Sequence, residues 1–249
     1  MHYDEILVSR PGKKVLRVGD STVKLFGAGH SKSNILNEAL NQARVEETGL
    51  LIPKIREVTL IDGQWAIVMD FIEGETLETL MRRYPERRQE YLELFLSVQM
   101  EIHSKKSPLL TKFRDKLITK IMSSDLDAST RYDLSMRVSD MPNHTHLCHG
   151  DFNPSNVILS VGKQPYVLDW SHASQGNASA DAAKTYLTFR MQGEDELAER
   201  YLALFSERTN TAMSYIRQWL PLVAAGQLIR VNAGHRQMLM EYVDPVSEV

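Results

Sequence analysis

The sequence predicts an α+β protein in two lobes. A small antiparallel-sheet lobe with one helix covers residues 1–72, and a larger, mainly helical lobe covers 73–249. Three observations predict this. Short apolar runs separated by Gly- and Asp-bearing turns fill most of the first 72 residues. One stretch of helical period interrupts them. After Glu73 the apolar residues recur mainly at helical spacing, broken by short strand-like runs near 146–169.

The elements follow in order. "EILVS" is a short apolar strand, and "RPGKK" is a turn punctuated by Pro11 and Gly12. "KVLRV" and "STVKLF" pair as a hairpin through Gly19-Asp20. In that second strand Val23 and Leu25 point one way, and Thr22, Lys24 and Phe26 the other. From Lys32 to about Glu47 the period becomes helical, with a stripe of Ile35, Leu36, Ala39, Leu40 and Ala43. Ser31 or Ser33 is its N-cap and Gly49 closes it. "EVTLI" and "QWAIVMDFI" form a second hairpin through Asp62-Gly63. "QEYLELFLSVQMEIHSK" then places Tyr91, Leu94/Phe95, Val98 and Ile102 on one helix face. Helical stretches at about 108–123 and 128–138 precede the strands "THLCH", "VIL" and "YVLDW". From about residue 178 to the end the chain is helical, with a polar break at "SERTNTA".

Composition narrows the function. Lys and Arg number 29 against 32 Asp and Glu, a net charge of −3, with no basic block. A nucleic-acid partner, whose binding depends on neutralising phosphates, is therefore not expected. Arg82-Arg83 and Arg87-Arg88 read as solvated helix faces. No run of 18 apolar residues is present, so no membrane span is expected. A single cysteine and an N-terminus without signal-peptide character point to a reducing, cytoplasmic setting.

"NHTHLCHGDFNPSNVIL", Asn143 to Leu159, carries most of the chemistry. Its histidines and Cys148 raise a zinc reading. Along an extended strand, however, His144 and Cys148 lie roughly 13 Å apart, at ~3.3 Å per residue. Zinc needs its ligands at ~2.0–2.3 Å. The alternative makes His144 and His146 polar positions leading into a buried strand. Counted from His149, the stretch has the spacing His-x-Asp-x-x-x-x-Asn of a kinase catalytic loop, with Asp151 and Asn156 at its two acceptor positions. Asp169 follows at the end of "YVL". A hydroxyl nucleophile needs a carboxylate to orient it and take its proton, which suits Asp151. Mg²⁺ takes hard oxygen ligands, which suits Asn156 and Asp169. His149 would orient the loop from behind.

Lys24 sits mid-strand among apolar neighbours, where a lysine is disfavoured unless it is paired. Glu38 is a partner for it, pointing the ammonium at phosphates; Glu46 and Glu47 are alternatives nearer the helix end. An edge-strand lysine and a solvated helix acid are the plainer readings of the same two residues. The backbone at Asp70 and Ile72 would face an adenine edge.

The segments "VLRVGDSTVKLF", "NEALNQARVE", "WAIVMDFIEGETL", "EIHSKKSP", "LCHGDFNPSNVIL" and "YVLDWSHASQGNASADAAKTYL" together resemble the aminoglycoside phosphotransferase/choline kinase family. The resemblance implies a protein-kinase-like bilobal fold and an ATP- and Mg²⁺-dependent kinase whose acceptor is a hydroxyl of a small molecule. Lys24, Glu38, Asp70, Phe71 and Ile72, with Val15 and Ile158, would bind the nucleotide; Asn156 and Asp169 would bind the metal; Asp151, supported by His149, would be catalytic. Asp181 would be a structural acid anchoring the catalytic region. Gly150 stands where protein kinases usually carry Arg, and no Asp-Phe-Gly or Ala-Pro-Glu follows, which favours a small-molecule kinase. Two features depart from the family pattern. "SRPGKK" has one glycine, so Lys13 and Lys14 would supply charge there, and Ser171-His172 follow Trp170 where relatives carry an acid. Glu73, Glu75 and Glu78 either face a cationic acceptor or open a helix, where acids favour the dipole. A catalytically silent nucleotide-binding scaffold is the alternative function.

Overall fold

The structure is a computed structural model that describes residues 2–243. The α+β architecture agrees with the sequence. An antiparallel five-stranded sheet of order β1-β2-β3-β5-β4 is built from β1 (Glu5–Arg10), β2 (Lys13–Val18), β3 (Ser21–Phe26), β4 (Ile55–Ile61) and β5 (Gln64–Asp70), with helix α1 (Lys32–Glu46) inserted after β3. Then come β6 (Gly74–Thr76), α2 (Leu77–Arg83), α3 (Arg88–Ser104), α4 (Phe113–Met122), α5 (Ala128–Asp140), β7 (His146–Cys148), β8 (Val157–Ser160), β9 (Pro165–Val167) and β10 (Ser174–Gly176). Helices α6 (Ala178–Met191), α7 (Asp195–Thr209), α8 (Met213–Gln218), α9 (Leu220–Gln227) and α10 (Ala233–Val243) complete the described chain. The helical expectation for residues 244–249 lies outside the described residues. Among the described residues no helix is long and apolar enough to cross a membrane.

The chain forms two compact units. The first comprises Met1–Pro85 and Pro154–Ala173, so β8, β9 and their flanking turns return to the strand-rich part. The second comprises Glu86–Asn153 and Ser174–Val249. In the first, both anticipated hairpins form; Gly19, Asp62 and Gly63 take the positive φ their turns require. Phe26, Ile35, Ala39 and Ile67 pack α1 onto one face of the sheet, while Leu16, Val23 and Ala66 fill the other. Ser31, not Ser33, caps α1, accepting from the Asn34 amide at 3.2 Å.

The buried stripe of α1 differs from the one its apolar periodicity predicts. Leu36 and Leu40 are 42% and 47% exposed, and Ala43 also faces solvent. The buried face runs instead through Ile35, Ala39, Asn41, Gln42 and Val45. Polar partners turn the helix. Asn41 donates to the Ser171 carbonyl at 3.2 Å, Gln42 donates to the Pro53 carbonyl at 2.7 Å, and Glu38 reaches Lys24. Buried polar groups must be hydrogen-bonded, and a helix can leave two leucines in water at lower cost than three orphaned polar side chains.

The second unit is helical around the β7–β10 pair. α3 faces inward through Tyr91, Phe95, Val98 and Ile102, as its period predicts. Phe95 stacks on Phe152 with ring centroids 4.3 Å apart and meets Phe189 and Tyr201 edge-on. β6 (GET) and β10 (SQG) carry no apolar run that would mark them as strands. Replacing Phe95 by Ala should destabilise the protein by about 3–5 kcal/mol, the usual cost of emptying a fully buried aromatic site. Urea unfolding of the full chain measures it.

Candidate active site

The first unit assembles a charged cluster around Lys24. β3 places its side chain on the α1-facing side of the sheet, in register with Val15 on β2 and Ile67 on β5. It is only 6% exposed. Its ammonium donates to the Glu38 carboxylate on α1 and to Asp169 Oδ1 at 3.2 Å. Lys13 Nζ approaches the other Asp169 oxygen at 3.4 Å. Glu46 is engaged elsewhere, accepting from the Ile55 amide at 2.8 Å, and Glu47 caps the C-terminus of α1. Of the three acids on this helix, the geometry therefore selects Glu38.

Burial works against the charge on Lys24, but Asp169 and then Glu38 outweigh it and hold the ammonium above its ordinary value. Lys13 is lowered, first by burial and then by Lys24. Burial alone would raise the Asp169 carboxyl; Lys24 and Lys13 reverse that and keep it ionised far below the usual carboxylate range. Asp169 sits just past β9 with φ 58° and ψ 67°, a left-handed conformation that Asp tolerates better than most residues. Trp170 behind it is fully buried and donates its indole N–H to the Val167 carbonyl at 3.1 Å. Asn156 lies in the same unit, and its carbonyl accepts from the Leu168 amide at 2.8 Å. An ionised carboxylate and an amide oxygen on adjoining backbone segments are hard donors, and they fit a Mg²⁺ ion and not a soft metal.

The remaining expected nucleotide positions lie in this unit as well. The Asp70 carboxylate accepts from Arg56 at 2.8 Å, and its amide donates to the Lys54 carbonyl at 3.0 Å. The Phe71 amide donates to the Asp20 carbonyl at 3.0 Å, and the Arg17 guanidinium lies 4.2 Å from its ring. Ile72 follows these, and Ile158 is half-buried on β8 opposite Thr76. In the "SRPGKK" turn, Gly12 takes φ 78°, and its carbonyl accepts from the Gly27 amide at 2.8 Å.

The second unit fixes the loop after β7. Asp181, 1% exposed in the first turn of α6, accepts from the His149 amide at 3.2 Å and the Gly150 amide at 2.8 Å. His103 Nε2 lies 3.0 Å from the same carboxylate. Burial opposes ionisation of Asp181, and these bonds together with His149 overcome it, so its carboxyl stays below its ordinary value. Gly150 has φ 77°, which explains glycine here: an L side chain would be strained. His149 is fully buried, and its Nδ1 accepts from the Asp151 amide at 3.2 Å. Asn153 and Thr185 bond the Asp151 and Phe152 carbonyls at 3.0 and 2.9 Å. The Lys184 ammonium holds the Gly150 carbonyl. Every peptide around Asp151 is thus pinned.

Cys148 is buried, with its thiol pushed up by burial and then by Asp181. The residues that gather near it are His103 and Asp181, ligating atoms all within 4.8 Å, and not His144. His146 turns away to the His103 carbonyl at 2.7 Å. The His103–Asp181 bond and the loop amides already account for that group. Sequence reasoning missed His103 and Lys184. The only signals for them were a histidine ending an apolar helix face and a lysine three residues after Asp181.

A model of the phosphotransferase enzyme family matches residues 13–219. The chain belongs to that family. Its fold is shared with solved family structures at low identity. A thermostable mutant of aminoglycoside phosphotransferase APH(4)-Ia, in ternary complex with AMP-PNP and hygromycin B, is 17% identical with a TM-score of 0.69, over 97% of this chain and 91% of that one. Choline kinase LicA from Streptococcus pneumoniae is 17% identical with a TM-score of 0.64, over 98% and 94%. A choline/ethanolamine kinase family protein from Mesorhizobium loti is 15% identical with a TM-score of 0.59, over 98% and 88%. No curated protein sequence matches the chain. The family match begins at Lys13, so it includes both lysines of the Asp169 cluster.

The Asp181 network gives the phosphotransferase a definite acid response. Its folded carboxyl ionises below the ordinary value of 3.8, so the folded state binds fewer protons than the unfolded one. The stability it contributes is fully present above pH 3.8 and is lost as pH falls below that value. Asp181→Asn should cost about 1–3 kcal/mol at neutral pH, the scale for unsatisfied buried donors. It should also show a shallower acid loss than wild type in urea unfolding from pH 7 down to pH 3.

Proposed function

We propose that this phosphotransferase is an ATP- and Mg²⁺-dependent kinase that transfers the γ-phosphoryl group to a hydroxyl of a small molecule. The observation that carries this reading is Lys24, nearly buried and held between Glu38 and Asp169. A pre-aligned ammonium beside an ionised carboxylate suits a triphosphate and its metal. Lys24 holds phosphate oxygens, Glu38 keeps Lys24 in place, and Lys13 adds charge where the turn has a single glycine. Asp169 and Asn156 would hold Mg²⁺, which would supply positive charge to offset that of the phosphates. Backbone groups of Asp70 and Ile72 meet the adenine edge, while Val15, Phe71 and Ile158 provide apolar contact.

Asp151 orients the acceptor hydroxyl and takes its proton as the phosphoryl group arrives. His149 fixes the loop through its bond to the Asp151 amide, so it acts as a positioning residue. Positioning and charge stabilisation supply most of the rate. A relative that holds AMP-PNP together with hygromycin B, and others described as choline kinases, support a nucleotide and a small acceptor on this fold.

Asp151→Asn should lower turnover by roughly 10²–10⁴-fold, the range for a positioned general base, with Mg-ATP binding kept. An ATP-consumption screen over aminoglycosides, choline, amino alcohols and sugars tests it, with the Asp151→Asn protein as blank. Wild-type turnover in that variant sinks the assignment. A Mg²⁺-dependent ATP thermal shift with no phosphorylated product favours a silent nucleotide-binding protein instead.

A further inference from the structure

We propose that Lys13 closes the metal position on Asp169 in the nucleotide-free protein and leaves it for the nucleotide's phosphates, so that metal ion and nucleotide bind together. The inference rests on the kinase reading of Asp169 and adds to it a binding order set by one side chain.

Both oxygens of the Asp169 carboxylate are covered by ammonium groups. Lys24 Nζ donates to Oδ1 at 3.2 Å, and Lys13 Nζ donates to Oδ2 at 3.4 Å. The two lysines are held differently. Lys24 is nearly buried in the middle of β3 and is also bonded to Glu38 on α1, so it is fixed from two sides. Lys13 opens β2 directly after the left-handed turn at Gly12. Its side chain is 25% exposed, and its salt bridge is to Asp169. A lysine is a point charge on a flexible four-carbon stem, so Lys13 can exchange one anion for another while its strand stays still.

Charge decides which anion it takes. Lys13 and Lys24 with Glu38 and Asp169 form a cluster of two cations and two anions, neutral as it stands. A divalent cation brought alone to Asp169 would meet an ammonium on each of its oxygens and would have to displace Lys13 with no other anion to receive it. A triphosphate supplies that anion. Its several charges give Lys13 a stronger partner than one carboxylate oxygen. Lys13 then leaves Oδ2, which becomes free to act as a ligand. The coupling is reciprocal: what the nucleotide adds to metal affinity, the metal adds to nucleotide affinity.

Mn²⁺ tests this as an oxygen-seeking stand-in for Mg²⁺, titrated into the full chain and followed by the paramagnetic signal of the free ion. Without nucleotide, Lys13→Met should bind Mn²⁺ about tenfold or more tightly than wild type, within the usual range of such couplings. Without metal, the same variant should bind AMP-PNP about tenfold more weakly, measured by calorimetry. Opposite shifts from one substitution separate this role from a structural one, which would weaken both. Lys13→Gln should behave like Lys13→Met, and Lys13→Arg, which keeps the charge, should keep the weak Mn²⁺ binding. Arg10→Met removes the same charge from the facing position on β1 and should leave Mn²⁺ affinity unchanged. Adding Asp169→Asn to Lys13→Met should abolish the gain. Mn²⁺ affinity no higher in Lys13→Met and Lys13→Gln than in wild type, an equal gain in Arg10→Met, a gain that survives Asp169→Asn, or undiminished AMP-PNP binding overturns the proposal. The opposite shifts in Lys13→Met together with no phosphoryl transfer from Mg-ATP by wild type count against the kinase reading and leave the role of Lys13 standing.

Discussion

A lysine ammonium held almost out of water is the constraint around which the first unit is arranged. Lys24 cannot stay charged at 6% exposure without opposite charge at contact distance. The sheet supplies none, so the charge comes from α1 through Glu38 and from the turn after β9 through Asp169. That requirement ties three parts of the chain together: a strand near residue 24, a helix near 38 and a turn near 169. It also explains why α1 turns Asn41 and Gln42 inward and leaves Leu36 and Leu40 in water. Rotating the helix to bury the leucines would carry Glu38 away from the lysine.

The second unit solves the same problem with opposite sign. Asp181 is a buried carboxylate, and its compensation comes from two loop amides and His103. The two amide bonds that help keep the carboxylate ionised also remove freedom from the segment ending in Asp151. Gly150 provides the left-handed turn, His149 bonds the next amide, and Phe152 anchors the far side in the aromatic core around Phe95. A loop held in this way is pre-organised, which is what the proposed role of Asp151 requires.

Family membership and fold are kept here at low sequence identity. Structures 15–17% identical share the architecture over 97–98% of this chain.

The sequence by itself determined the broad succession of strands and helices, the β2–β3 and β4–β5 hairpins, the inward face of α3, and the linear spacing of His149, Asp151, Asn156 and Asp169. Those features depend on local periods and turn chemistry, which act over a few residues. Strand alternation also put Lys24 on the same face as Phe26, but it left Glu38, Glu46 and Glu47 as rival partners. Only the tertiary structure decided among them, because the choice depends on how α1 rotates against the sheet. The same holds for β6 and β10, whose three residues gain strand geometry only from a partner, and for His103, which acquires meaning from Asp181 some 78 positions away. Local pattern reads a backbone's preference. Which buried charge meets which counter-charge is a contact between distant segments, and no period in the sequence records it.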